Sequence, residues 1–176
     1  MPGAVFLKGQ KINLRTVEEE DLKFLRDNIN RQDVRTHLTA RKPVNLKQEK
    51  DFFEEVISSE DNVHLAISRE EEIIGIISLE EDEKDLRVAE LGIWIDPDHH
   101  GKGYGTEAAK LVTDYGFNEL NYHRIMARAH GENKGSQRIW EKLGFTKEGE
   151  LREQVYRQGE FTDAYLYGIL EHEWSN

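Results

Sequence analysis

A glycine-rich segment, HHGKGYGTE at residues 99–107, decides which fold this sequence adopts. It separates a β-rich run at 88–95 from a stretch of helical periodicity at about 106–120. Its three glycines occupy alternate positions, where they permit positive φ and let the backbone approach a ligand without an intervening Cβ. The N-terminus of the following helix presents unpaired N–H groups and a partial positive charge, and Thr106 can add a hydroxyl donor. The segment therefore predicts a cradle for a pyrophosphate group.

Two common nucleotide-binding motifs do not fit this segment. A Walker A loop requires Gly-Lys followed by Ser or Thr, whereas Gly103 follows Lys102 here. A dinucleotide fingerprint opens a βαβ unit and has an acidic residue about 20 residues later. This segment has a different glycine spacing and follows predicted antiparallel hairpins. A ligand-free turn between a strand and a helix remains the structural alternative, but it needs only one or two glycines.

Strand and helix patterns alternate on both sides of the segment. Before it, the sequence predicts a strand at 11–15 and two helices at 16–29 and 45–57, with a loop at 33–43 between them. A β-hairpin at 63–79 and a turn at 80–85 follow. After the long helix it predicts a strand at 124–129, a short helix at 133–143 and a closing pair of strands at 154–156 and 165–170. Thr16 with Glu19 and Asn45 with Gln48 match the capping box that opens a helix, and Gly144 suits the left-handed residue that ends one. This order predicts an α/β or α+β domain with one mixed sheet.

The composition is that of an ordinary globular protein with an acidic surface. The chain has 176 residues, 37% of them apolar, which suits a single domain over 1–176. Its formal net charge of −11 argues against DNA binding, which needs Lys and Arg, and suits cationic partners such as amines, although a solvated acidic surface has the same charge. There is neither a secretory signal nor a run near the roughly 18 apolar residues of a membrane helix, so we expect a cytoplasmic protein that binds no membrane. The absence of cysteine excludes disulfides and a cysteine nucleophile.

Several segments together resemble the GNAT superfamily of N-acetyltransferases. Besides the glycine-rich segment, they are ELGIWIDP at 90–97, NKGS at 133–136 and EKLGF at 141–145. The resemblance covers about 11–173 and is strongest to the RimJ/RimL type, which acetylates protein N-terminal amines, because of AELG at 89–92 with Trp94 and GEFTD at 159–163. It implies the GNAT fold, an α/β (α+β) architecture with a central mixed, mostly antiparallel twisted sheet of about seven strands and about four flanking helices. It also implies acetyl-CoA as the co-substrate.

The resemblance implies a cofactor site around the glycine-rich segment. The superfamily's phosphate motif begins with Gln or Arg three residues before its first glycine, and this chain departs from it with His100. Because backbone N–H groups hold most of the phosphate, we expect binding to survive this change. In the family, the backbone of two strand residues pairs with pantetheine and an asparagine contacts its thioester end. The residues expected to bind acetyl-CoA are Trp94, Ile95, His100, Gly101, Lys102, Gly103, Tyr104, Gly105, Thr106, Asn133 and Ser136.

Direct attack of an amine on the thioester is the simplest chemistry for this chain, since no segment resembles the nucleophile elbow of a covalent mechanism. The reaction needs a deprotonated amine, a polarised carbonyl and a stabilised thiolate. Glu90 is the candidate base, because a carboxylate partly buried on an apolar strand has a raised pKa. Alternatively, Glu90 binds the substrate ammonium or a neighbouring backbone group.

The group that protonates the leaving thiolate is a separate question. Many GNAT enzymes use a tyrosine where this chain has Trp140, which has no usable proton and is expected to pack against Phe145 or the coenzyme. Ser136 resembles the serine proposed for this role in RimJ/RimL-type enzymes. Alternatively, Ser136 makes an ordinary contact with the backbone or the coenzyme at a helix N-terminus.

The acceptor is expected to be a primary amine, either a protein N-terminus or a small molecule such as a polyamine, an amino sugar or an amino acid. In the family the loop between the first two helices lies over the acceptor, so Arg35, His37 and Arg41 are candidates, as are Tyr156 and Asp163. Surface or sheet-end roles are the alternative for all five.

No histidine pair has the i,i+4 spacing of a zinc site, so we expect no metal. Relatives are monomers or homodimers, and a non-catalytic acyl-CoA sensor is the alternative of a different class.

Overall fold

The structure is a computed structural model that describes residues 2–38, 42–83 and 86–175, apart from the side chain of residue 83. Within these residues the chain forms eight β-strands and five α-helices. The strands are β1 (Val5–Lys8), β2 (Asn13–Thr16), β3 (Asn62–Arg69), β4 (Glu72–Glu83), β5 (Val88–Ile95), β6 (Arg124–His130), β7 (Thr146–Arg157) and β8 (Glu160–Leu170). The helices are α1 (Leu22–Ile29), α2 (Gln32–Arg35), α3 (Leu46–Phe52), α4 (Tyr104–Asn118) and α5 (Lys134–Lys142).

The strands are hydrogen-bonded in the order β1-β2-β3-β4-β5-β6-β8-β7. Antiparallel pairing joins β1 to β2, β2 to β3, β6 to β8 and β7 to β8, whereas β5 and β6 run parallel. The predicted α/β fold with a mixed, mostly antiparallel sheet is therefore confirmed. The additional strand, β1, was not predicted because its residues, VFLK, do not alternate between apolar and polar.

The chain divides into two compact units, and strands β4 and β5 contribute residues to both. The first unit comprises Met1–Ser78 and Ile93–Ala108, and the second comprises Leu79–Gly92 and Ala109–Asn176. That 1–176 is a single domain stays a prediction.

The core of the first unit gathers apolar side chains from α1, from a π-helical turn at Phe53–Ile57 and from the strands beside them. Leu22, Leu25 and Ile29 recur at spacings of three and four, which predicts an apolar stripe on the first helix. Leu22 and Leu25 are buried as predicted, whereas Ile29 is half-buried. The sequence predicts a buried face of Phe52, Phe53, Val56 and Ile57 on the second helix, but Phe52 is 44% exposed, whereas Glu49 is only 4% exposed. The wider π turn explains this difference, because it shifts which side chains face the core.

The helix starts of the first unit depend on capping boxes. The one predicted at Asn45 is confirmed, since its side chain accepts from the N–H of Gln48 at 3.0 Å and the Gln48 amide oxygen accepts in return at 2.9 Å. The one predicted at Thr16 is wrong, because Thr16 still belongs to β2. Glu18 and Asp21 form the capping box instead, and a short 3₁₀ turn precedes α1.

Three further expectations concern the ends of elements. The predicted turn at 80–85 is wrong over 80–83, because β4 continues to Glu83, and 84–85 lie outside the described residues. A run of charged residues indicates exposure to solvent, and an exposed strand meets that condition as well as a turn does. The predicted loop at 33–43 overlaps α2, whose four residues are too few for helical periodicity, and 39–41 lie outside the described residues. In the second unit, Gly144 ends α5 with φ +84°, as predicted. The sequence also places the turn of the closing strand pair at Gln158 and Gly159, and β7 and β8 meet there, but both are much longer than the predicted strands.

Among the helices in the described part of the chain, none is long and apolar enough to cross a membrane.

The buried ion pair of Arg15 and Asp21 allows a test of the first unit's stability. The two side chains are 3% and 8% exposed and are joined by two hydrogen bonds of 2.8 Å, and Asp21 also accepts from the N–H of Glu18. We expect Asp21→Asn to lower the free energy of unfolding by about 3 kcal/mol, because it leaves a buried guanidinium without a counter-charge. Urea denaturation measures this loss. Asp27→Asn, which removes an exposed partner of Arg26, is the control and should cost at most about 1 kcal/mol; equal losses would contradict the prediction.

Candidate functional site

The glycine-rich segment of the first unit forms an open loop that leads into α4. Gly101 and Gly103 have φ of +75° and +85°, which only glycine adopts without strain. A Cβ added to Gly101 would meet no atom within 4 Å, and one on Gly103 would meet only Lys11 Nζ, at 3.5 Å. The helix begins at Tyr104, two residues earlier than predicted, so its first N–H groups belong to the glycine-rich segment. The backbone at Gly101 is therefore open to the approach of another group.

Two side-chain hydrogen bonds tie this loop to the residues that precede it. The His100 ring nitrogen Nε2 lies 2.7 Å from the carbonyl oxygen of Ile95, at the end of β5. Lys102 Nζ donates to the carbonyl oxygen of Asp98 at 3.0 Å. Thus His100 and Lys102, both predicted to bind the cofactor, hold the loop in shape through their side chains.

Arg31, which the sequence analysis did not single out, braces the same loop. Its Nη1 donates to Asp96 Oδ1 at 2.9 Å, and the same carboxylate oxygen accepts from the N–H of Asp98 at 3.1 Å. Asp33 binds the other side of the guanidinium. Because Arg31 and Asp96 are 65 residues apart, no local pattern could have indicated this contact.

Trp94 and Ile95, predicted to pair with pantetheine, end strand β5. The Trp94 ring stacks on Phe24, with ring centroids 6.0 Å apart. Gly75 is essential here, since a Cβ at that position would lie 2.4 Å from the Trp94 carbonyl oxygen. The carbonyl oxygen of Ile95, the last residue of β5, accepts from the His100 ring.

Arg35 and His37 are exposed residues of the first unit in and just after α2. Arg35 Nη1 donates to the Asn30 carbonyl oxygen at 2.8 Å, and the His37 N–H donates to the carbonyl oxygen of Val34. Arg41 lies outside the described residues. An acceptor role for these residues stays a prediction.

In the second unit, Glu90 lies on β5 with a side chain that is 31% exposed. Burial raises the pKa of Glu90, and the negative charges of Asp82 and Glu80 raise it further, against the lowering effect of Arg128. Arg128 Nε lies 3.1 Å from Glu90 Oε1 and is itself largely exposed. The raised pKa expected from the sequence is thus present, with an ion-pair partner that the sequence analysis did not identify.

The start of α5 brings Asn133, Ser136 and Trp140 together. Asn133 Oδ1 caps the helix by accepting from the Ser136 N–H at 3.0 Å. Trp140 Nε1 donates to Ser136 Oγ at 3.0 Å, and its buried ring packs against Phe145 with centroids 5.4 Å apart. The packing predicted for Trp140 is confirmed. Because Ser136 Oγ accepts this bond, its own O–H is left to donate elsewhere.

Tyr156 and Asp163 lie on the hairpin of β7 and β8 in the second unit. Tyr156 is 48% exposed and packs against Phe161, with ring centroids 4.9 Å apart. Asp163 Oδ1 accepts from the N–H of Glu153 at 2.8 Å, which is the structural role considered as its alternative. Within residues 2–38, 42–83 and 86–175, no three His, Asp or Glu side chains are grouped so as to hold a metal ion.

Comparisons with known proteins agree with this geometry. Residues 11–146 match the family described as Acetyltransferase (GNAT) domain. The spermidine N(1)-acetyltransferase of Escherichia coli is 30% identical over 163 residues, covering 93% of this chain and 88% of the relative. The crystal structure of spermidine N-acetyltransferase from Vibrio cholerae in complex with CoA and spermine has a TM-score of 0.86 and 25% identity, covering 94% and 98% of the two chains. The putative ribosomal N-acetyltransferase YdaF of Bacillus subtilis is 35% identical over 102 residues, 58% of this chain and 56% of the relative. The chain therefore belongs to the GNAT family and is an acetyl-CoA-dependent N-acetyltransferase.

Proposed function

We propose that this enzyme transfers the acetyl group of acetyl-CoA to a primary amine of a polyamine such as spermidine or spermine. The observation that carries the proposal is the similarity to spermidine N-acetyltransferases along nearly the whole chain, in sequence and in structure alike. This favours the small-amine alternative of the sequence analysis over a protein N-terminus.

The charges around Glu90 support a polycationic acceptor. Glu80, Asp82 and Glu90 belong to adjoining strands of the second unit, and the first two act electrostatically on the third. A polyamine carries several ammonium groups along one chain, so several carboxylates can bind it together, whereas a protein N-terminus offers one ammonium. The net charge of −11 favours such cations from a distance as well.

A protein N-terminus is the second candidate acceptor. It is supported by the RimJ/RimL-type motifs and by the similarity to the putative ribosomal enzyme, which spans a smaller part of the chain. We rank it second for that reason.

The glycine-rich segment is the proposed site for the pyrophosphate of acetyl-CoA. The positive φ of Gly101 and Gly103 and the open space beside Gly101 fit a group that binds to backbone N–H donors. When bound, acetyl-CoA supplies a thioester whose C–S bond breaks as the amine nitrogen bonds to the carbonyl carbon. Trp94, Ile95 and Asn133 are the proposed contacts of its pantetheine arm.

Two residues of the second unit are proposed to take part in the chemical step, one at the amine and one at the leaving sulfur. Glu90, with its raised pKa, accepts the proton that the amine must lose, directly or through water. The hydroxyl of Ser136 donates a hydrogen bond to the departing sulfur and stabilises its negative charge. Trp140 is a positioning residue, because its N–H occupies a lone pair of Ser136 Oγ and leaves the O–H to point at a ligand.

His100 offers a test of the cofactor site. His100→Ala removes the bond to the Ile95 carbonyl, so we expect the loop to loosen and the Kd of CoA to rise roughly fivefold, the effect of about 1 kcal/mol. Isothermal titration calorimetry measures this Kd. His100→Gln, which restores the amide that the superfamily often has there, should bind CoA nearly as well as the wild type. Equal affinity for His100→Ala and the wild type would show that the bond has no role.

The acceptor proposal is tested by thiol release with a panel of amines. Spermidine and spermine should give kcat/KM values at least about tenfold above those of N-terminal peptides, amino sugars and amino acids, because several carboxylates share the binding. Peptides are the matched control for the second candidate. A peptide that outperforms both polyamines would overturn the proposal in favour of N-terminal acetylation.

The role of Glu90 predicts a specific pH dependence. A base must be deprotonated, so kcat/KM should fall as the pH drops through the raised pKa of Glu90, and Glu90→Gln should remove this acidic limb together with most activity. Arg128→Gln removes the charge that lowers this pKa, so the limb should move to higher pH. Arg128→Lys, which keeps the charge, is the control and should leave the limb near its original position. An unchanged acidic limb in Glu90→Gln would exclude Glu90 as the base.

A further inference from the structure

Lys11 places an ammonium group over the glycine-rich segment. It lies in the tight turn between β1 and β2, which is closed by a hydrogen bond from the Gly9 N–H to the Ile12 carbonyl oxygen at 3.0 Å. Its Nζ is 3.5 Å from the carbonyl oxygen of Lys102 and 3.5 Å from the point where a Cβ on Gly103 would be. The charge is thus at the place where the backbone leaves room for a ligand.

The position of Lys11 is fixed by the backbone of its turn. Glu107 Oε1, on the first turn of α4, accepts from the N–H of Lys11 at 2.9 Å and from the N–H of Gln10 as well. This carboxylate therefore joins the turn to the helix whose N-terminus the glycine-rich segment forms. Only the flexible side chain of Lys11 remains to be ordered when a ligand binds, which keeps the entropic cost small.

The two lysines near the segment have different tasks. Lys102, inside the motif, uses its ammonium on the carbonyl of Asp98. Lys11 makes one long contact with a carbonyl, and among the residues that the structure describes no carboxylate forms an ion pair with it. An ammonium has three donors, so Lys11 has donors left for an anion.

We propose that Lys11 binds the pyrophosphate of acetyl-CoA and completes the backbone cradle of the glycine-rich segment with a full positive charge, and that Glu107 positions it. The inference rests on the cofactor site proposed above and is independent of which amine accepts the acetyl group. Backbone N–H groups and a helix N-terminus carry only partial charges, whereas a pyrophosphate diester carries two negative charges. A charge-assisted hydrogen bond from an ammonium supplies the missing counter-charge.

Calorimetric titration of the full-length protein with CoA and with dephospho-CoA, which lacks the 3′-phosphate, tests the ligand. Lys11→Gln should raise both Kd values by the same factor, roughly fivefold, since the pyrophosphate is common to both. Lys11→Arg should keep most of the affinity, and Lys8→Gln, which neutralises an exposed lysine of the same hairpin, should change nothing. An effect with CoA that disappears with dephospho-CoA would overturn the assignment to the pyrophosphate. Equal affinity of Lys11→Gln and Lys8→Gln would overturn the role of Lys11 altogether.

A double-mutant cycle tests the role of Glu107. If Glu107 acted only through its negative charge, which repels an anion, Glu107→Ala would tighten CoA binding. If Glu107 positions Lys11, as proposed, Glu107→Ala should weaken CoA binding severalfold. In the Lys11→Gln background the same change should no longer weaken binding. Equal weakening in both backgrounds would overturn the positioning role.

These measurements involve no amine, so they separate the two proposals. Wild-type protein that fails to bind CoA would overturn the cofactor site and this inference together. Wild-type binding with no difference in Lys11→Gln would overturn this inference alone.

Discussion

Just after β5, the carboxylate of Asp96 accepts hydrogen bonds from Arg31 and from the N–H of Asp98. The backbone N–H of Asp96 donates to the carbonyl oxygen of Ile74. The residue is only 9% exposed, so these interactions are shielded from water and are stronger than they would be at the surface. Asp96 thereby fixes the point from which the glycine-rich segment starts. With that end held by Asp96 and the other end held by α4, the backbone between them can keep positive φ and expose its N–H groups without support from a ligand.

The second unit shows how a departure from the usual family pattern is accommodated. Trp140 cannot donate a proton as a tyrosine would, but its N–H donates to Ser136 Oγ, and this contact is compatible with the role proposed for the serine hydroxyl. The ring fills the core against Phe145, which fixes the donor in place. Trp140 is thus compatible with an arrangement in which the hydroxyl of Ser136 interacts with the leaving sulfur.

Local patterns in the sequence predicted much of the fold and the proposed cofactor loop. The β-rich run at 88–95, the capping box at Asn45 and the left-handed Gly144 are properties of adjacent residues, and the structure has all three. The missed features depend on distant residues. Arg31 meets Asp96 across 65 positions and Lys11 meets Glu107 across 96, so their pairing is decided by how the chain folds back. Contacts with an acceptor likewise need residues that are distant in the sequence, so no pattern around Arg35, His37 or Tyr156 could define them.

The positive φ of Gly101 and Gly103 also constrains how such an enzyme can evolve. Any side chain at these two positions would strain the backbone, and Lys102 between them already serves the loop itself. Substitutions at Gly101, Lys102 and Gly103 therefore disturb the loop itself and leave little room to tune its affinity for a ligand. Adaptation to different cellular levels of the acetyl donor would instead be expected in the residues that surround it, on segments where mutation is tolerated.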